Sequence, residues 1–151
     1  MVERLSMMLR LQAELELIIP PKGENPAARE GDAMAQHIRD MVIALEDELH
    51  EAMAETGWKP WASSRHFNAE AFTKEMVDAW HFFMNLMLVA AWHHNMTPDE
   101  YADYFTKKYI EKNTINRDRH ANGDYTGTNK CPKCHRDLNE VEANHLETCD
   151  A

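Results

Sequence analysis

The chain has almost no cysteine. Its first 130 residues contain none, and all three thiols fall between 131 and 149. No disulfide framework is expected, and the reducing cytoplasm is the expected compartment. Glycine and proline are also sparse, at five and six of 151 residues. Alternating strand patterns are hard to find, so a β-rich architecture is excluded. Basic excess is absent as well: 16 Lys and Arg stand against 26 Asp and Glu, a net charge of -10. Nucleic acid and anionic membrane are therefore not expected as partners. A phosphate substrate stays open if a metal ion mediates. The N-terminal "MVERLSMMLRLQAELELII" scatters charges among its apolar residues and shows no cleavage site, so it does not read as a signal peptide. The run from Met76 to Trp92 is nearly apolar, yet too short and too polar along one stripe to suit a bilayer.

What is present is a helical period. Hydrophobic content of 44% and charged content of 28% are those of a globular domain. Leu5, Met8, Leu11, Leu15 and Ile18 space a helix over 3–18, ended by Pro20 and Pro21. A second helix spans 31–56, with Met34, Ile38, Met41, Leu45, Leu49 and Met53 on its apolar face and Gly57 as its stop. A third runs over 69–95 behind Asn68. The fourth starts at "TPDE", where Thr97 and Glu100 make a capping box around Pro98, and ends near 120. The expected fold is all-α: a four-to-five-helix bundle over 1–127, with a separate tail over 128–151.

The third helix should be buried nearly all round, yet it carries Glu75, Asp78, His81 and Asn85. At about 100° per residue these four share one stripe. On the second helix Glu48 and Glu51 are three apart and flank the apolar face. Taken alone, that pair reads as a solvated acidic edge. Buried carboxylates are costly without a cation, however. Two such pairs on neighbouring helices can gather four carboxylates around hard divalent ions, Mg²⁺ with Mn²⁺ as substitute. A di-iron bundle is the structural alternative, but Asp78-x-x-His81 and Asp47-x-x-His50 only approach its Glu-x-x-His pairs. On the fourth helix Lys112, Asn116 and Arg119 form a stripe of donors, suited to phosphate oxygens or simply to solvent. Acidic metal site and donor stripe together suggest a polyphosphate. Lys59 adds a charge, and Trp58, Trp61 and Phe82 offer flat surfaces to a base or to the core.

The pattern resembles the all-α nucleoside triphosphate pyrophosphatases, the MazG-like superfamily, and among them the dimeric dUTPase branch. The residues that carry the resemblance are Asp47-Glu48-Leu-His-Glu51, Glu75-Met-Val-Asp78, Lys59-Pro60-Trp61 and "KNTINRDRHANGDY" from Lys112 to Tyr125. It covers roughly residues 5–127. Asp47 departs from the branch's first Glu, His120 from its Gln, and Glu16 from the Asn expected after Gln12 in the segment "LQAELE". The last departure falls on base recognition. The resemblance implies a Mg²⁺-dependent enzyme that cleaves a dNTP, dUTP first, to the dNMP and pyrophosphate, in a bacterial or phage-infected cell. The alternatives are dCTP or a purine dNTP. It further implies that Glu48, Glu51, Glu75 and Asp78 hold the metal and that Glu48 or Glu51 deprotonates the attacking water. Lys59, Lys112 and Arg119 would grip the diphosphate. Gln12, Asn85, Asn116 and Tyr125 would contact other parts of the substrate, and a homodimer or higher oligomer would wall the site.

In the tail, Cys131 and Cys134 are spaced C-x2-C, and His145 and Cys149 H-x3-C. This spacing suits a structural Zn²⁺. Disorder with incidental cysteines is the bland alternative. The string resembles a Rad18-type C2HC finger, for which a small ββα-like unit is expected. With three basic and five acidic residues the tail is a poor reader of nucleic acid and better suited to a protein contact. A rival from another class is a non-enzymatic zinc-finger adaptor whose bundle only dimerises.

Overall fold

A computed structural model describes residues 2–19, 23–61, 63 and 65–121, together with 131, 133, 134, 136, 145 and 149. Four α-helices account for most of the described chain: α1 (Val2–Ile18), α2 (Gly31–Ala54), α3 (Ala69–His93) and α4 (Pro98–Ala121). A 3-10 turn, Pro26–Ala28, precedes α2. Among the described residues there is no strand, only an isolated bridge between Thr56 and Phe67. The all-α expectation holds. The chain falls into two compact units, Met1–Thr106 and Lys107–Ala151, and the division lies within α4.

The helix ends are set by local chemistry. Asn68 Oδ1 accepts from the Ala71 amide at 3.3 Å and starts α3. Thr97 and Glu100 close their box: Glu100 Oε2 accepts from both the Thr97 amide and its hydroxyl at 2.8 Å. Those two bonds hold the Glu100 carboxyl below its ordinary range. α3 ends where Asn95 takes the left-handed conformation, φ 54°. The Met96 amide then donates to Ala91 O at 3.0 Å and the Asn95 amide to Trp92 O at 2.9 Å, a Schellman closure.

The core of the first unit is built around α3, which packs against α1, α2 and the 3-10 turn. Leu9, Met84, Met87, Leu88 and Val89 are buried together with Tyr101 and Ala102 from the first turn of α4. Trp80 stacks on Phe83 at 5.4 Å, and Phe83 meets Phe105 edge-on at 6.4 Å. This central position accounts for the apolar stretch from Ala79 to Ala91, but α3 is not buried all round as its composition suggests: Met76, Val77 and Trp92 are exposed. On α1 the buried positions are Ser6, Leu9 and Gln12, while Leu11 and Ile18 stay more than half exposed. Of the apolar row Leu5, Met8, Leu11, Leu15 and Ile18, Leu5 and Met8 pack against the core, whereas its later members turn outward. The reason is that the amide of Gln12, together with Leu9, finds its partners against α3.

Candidate active site and metal centres

The carboxylates of the first unit converge. Glu48 and Glu51 sit one turn apart near the end of α2, and Glu75 sits near the start of α3. These two helices pack against each other, so the two ends meet. Carboxylate oxygens of Glu48, Glu51 and Glu75 all lie within 4.8 Å of one another. Asp78, one turn further along α3, is exposed and outside that group of three, yet close enough to act on Glu48. The Glu48 carboxyl is pushed above its ordinary range, by partial burial first and then by the charges of Glu51, Asp78, Glu75 and Asp47. Among the described residues no Lys or Arg forms an ion pair with any of the four. Uncompensated oxygen donors at this spacing suit a hard divalent cation. Expectation and geometry therefore coincide for three carboxylates, whereas Asp78 faces solvent more than a core position would.

The loop from α2 to α3 carries the exposed side chains of Trp58, Lys59 and Trp61. The Lys59 ammonium lies 6.0 Å from the Trp58 ring centroid. At the base of the loop the Asn68 amide donates to Glu55 O at 3.0 Å. The Arg65 guanidinium donates to the carbonyls of Gly57, Lys59 and Pro60 at 2.9–3.1 Å. Nothing in the sequence pattern singles out Arg65. A single arginine in a loop carries no spacing signal, and its three acceptors are all backbone.

A second polar group lies deeper in the α1–α3 interface. Gln12 Nε2 donates to Asn85 Oδ1 at 2.7 Å and to Glu16 Oε1 at 3.3 Å. His81 Nδ1 lies 2.6 Å from Gln12 Oε1. An amide oxygen only accepts, so the network assigns the proton to Nδ1. Gln12 and Asn85 are both buried, 3% and 5% exposed, and they satisfy each other. Beside them a cavity of about 500 Å³ opens, with Glu16, His37, Asn85, Leu88 and Trp92 among its walls. His37 is held below its ordinary range, by burial first and by the Arg29 charge second, against the charges of Glu16 and Asp40.

In the second unit, Lys112 is exposed and Asn116 and Arg119 are half-buried on one stripe of α4. Tyr125 lies outside the described residues, as does most of the expected ββα finger. The four tail ligands do meet: Cys131, Cys134, His145 and Cys149 present ligand atoms all within 4.8 Å of one another. Cys134 Sγ is 3.2 Å from His145 Nε2. None of the three cysteines is in a disulfide. A tetrahedral zinc with Zn–S of about 2.3 Å sets its ligands some ~3.8 Å apart, a spacing these atoms accommodate. The Cys131 thiol is pulled down to about 6, foremost by the Cys134 backbone amide and, to a smaller degree, that of Lys133. No described helix is long and apolar enough to cross a membrane.

No curated protein and no solved structure matches the chain significantly. Residues 4–104 match a family model described as dUTPase, a span that contains nearly all of α1, the whole of α2 and α3, and all four carboxylates. With two thirds of its length matched, all-helical and carrying clustered acids on two packed helices, the chain belongs to the all-α dUTPase family of nucleotide hydrolases.

Proposed function

We propose that the chain is a divalent-metal-dependent dNTP diphosphatase, releasing a dNMP and pyrophosphate. The observation that carries this reading is the meeting of Glu48, Glu51 and Glu75 within 4.8 Å, with no Lys or Arg paired to them among the described residues. Glu48, Glu51 and Glu75, with Asp78 beside them, would hold Mg²⁺, with Mn²⁺ as substitute. When bound, such an ion neutralises phosphate charge and lowers the pKa of a coordinated water. Glu48 is the preferred acceptor for that water's proton. It sits beside Glu51 and Glu75, within reach of a water on the ion they would share. Water attack at the α-phosphorus breaks the bond to the bridging oxygen, and pyrophosphate leaves. Lys59, on the exposed loop that follows α2, is proposed to pair with the leaving diphosphate. For Lys112, Asn116, Arg119 and Tyr125 the proposed contacts with phosphate and sugar rest on the resemblance alone, and Gln12 and Asn85 are proposed to line the nucleoside end.

The family name directs the first assay to dUTP. dCTP and the purine dNTPs share the same phosphate chemistry. The apolar stripe of Leu11, Leu15 and Ile18 on α1 supports a homodimer or higher oligomer, since an apolar row of this kind is usually covered. A structural Zn²⁺ on Cys131, Cys134, His145 and Cys149 is proposed for a tail domain over 128–151, with a protein contact as its use.

Each dNTP incubated with the pure protein and Mg²⁺ should yield dNMP and pyrophosphate in equal amounts from at least one nucleotide. Glu48→Gln should lower kcat by roughly a hundredfold or more while the circular dichroism spectrum is unchanged. Pyrophosphate release from no nucleotide would exclude the enzyme reading in favour of an adaptor. Full activity in Glu48→Gln would remove Glu48 from the chemistry.

A further inference from the structure

We infer that the cavity beside Asn85 takes the nucleobase and that Glu16 selects a base bearing an exocyclic amino group, cytosine over uracil. This deepens the diphosphatase reading and rests on it. The position follows from α3. Asp78, at the carboxylates, precedes Asn85, on the cavity wall, by seven residues, a rise of about 10 Å. A nucleotide whose phosphates sit at the carboxylates and whose sugar follows the helix therefore brings its base to the cavity. The volume, about 500 Å³, lies within the range of small-ligand pockets. Leu88 and Trp92 supply apolar wall for the faces of the base.

The choice of base follows from which donors and acceptors are left over. Both N–H groups of Gln12 are engaged within the protein, one by Asn85 Oδ1 and one by Glu16 Oε1. Its oxygen takes the proton of His81 Nδ1. Gln12 therefore fixes its neighbours and has no donor left for a ligand. Asn25 and Asn85 are likewise partly used: Asn25 Oδ1 accepts from the Ala27 amide at 3.1 Å, and Asn85 Nδ2 donates to Met41 Sδ at 3.2 Å. Glu16 is the acid on the cavity wall, and only its Oε1 is bonded. No Lys or Arg pairs with it among the described residues. Burial and Arg29 also keep the neighbouring His37 from charging readily. A carboxylate only accepts hydrogen bonds. Cytosine offers the N4 amino group to such an acceptor, the pairing by which acidic side chains read cytosine elsewhere. Uracil offers O4 at the same edge, and two oxygens would meet lone pair to lone pair. Such a mismatch discriminates, because the protein oxygen loses water to the ligand without gaining a donor.

Glu16→Gln tests the assignment. It is isosteric, it keeps an oxygen for Gln12, and it turns the second atom from an acceptor into an N–H donor suited to O4. The wild-type chain should show a higher kcat/KM for dCTP than for dUTP. Glu16→Gln should move that ratio toward dUTP by about tenfold or more. A wild-type preference for dUTP would overturn the inference, and so would a ratio that Glu16→Gln leaves unchanged. Should the variant not fold, dCMP and dUMP are compared as ligands that raise the wild-type Tm. A larger shift with dCMP supports the inference, and an equal or larger shift with dUMP overturns it. Pyrophosphate release from neither dCTP nor dUTP, nor from any other dNTP, would instead count against the diphosphatase reading itself, while the monophosphate comparison still reports on the cavity.

Discussion

In the proposed chemistry Glu48 is the central residue. The charges acting on it from two helices are all carboxylates, and its carboxyl holds its proton more tightly than a free glutamate does. A raised pKa in the folded state means that the folded chain binds more protons than the unfolded chain, from the ordinary value near 4.5 up to the folded value. Stability of the metal-free protein should therefore fall as pH rises through that window. A divalent cation should reverse the loss, since it binds the deprotonated cluster. Adding Mg²⁺ should thus raise Tm more at pH 7 than at pH 4.5, as read by thermal melts at fixed ionic strength. An equal shift at both values would mean that the ion binds elsewhere.

At the scale of elements, α3 organises the first unit, and α1 depends on it. Leu9 is fully buried, with 0% exposure. Leu9→Ala should cost about 2–5 kcal/mol of unfolding free energy, measured by urea denaturation. Leu11→Ala, on the outward stripe, should cost far less in the isolated chain. The helix boundaries were legible in the sequence because their signals are local. Asn68 caps α3, and Thr97 with Glu100 caps α4, both by contacts within three residues. The convergence of Glu48, Glu51 and Glu75 was legible for a related reason: i,i+3 spacing fixes a face, and α2 packs against α3. The inner face of α1 was legible only in part, through Leu5 and Met8. Leu11, Leu15 and Ile18 are more apolar than Ser6 and Gln12, so periodicity weighted by hydropathy favours them. Burial of Gln12 is decided by Asn85 and His81, which lie 73 and 69 residues away. No local pattern reports that pairing. Arg65 escaped for the same reason, because its acceptors are backbone carbonyls set by the loop's own path.

The whole molecule combines two chemically different sets of ligands. Oxygen donors gather in the unit Met1–Thr106 and sulfur with imidazole in the unit Lys107–Ala151. Hard and soft cations should sort between them. Elemental analysis of the purified protein should find about one zinc per chain, lost on Cys131→Ser. Zinc content unchanged by that substitution would place the metal elsewhere.

The most direct test of the central claim is a Mn²⁺ titration of the full chain followed by electron paramagnetic resonance. Wild-type protein should show saturable Mn²⁺ binding that Mg²⁺ displaces. The variant Glu48→Gln, Glu51→Gln, Glu75→Gln should lose that binding while keeping its zinc and its helical content. Undiminished Mn²⁺ binding by the triple variant, or none by the wild-type chain, would contradict the account.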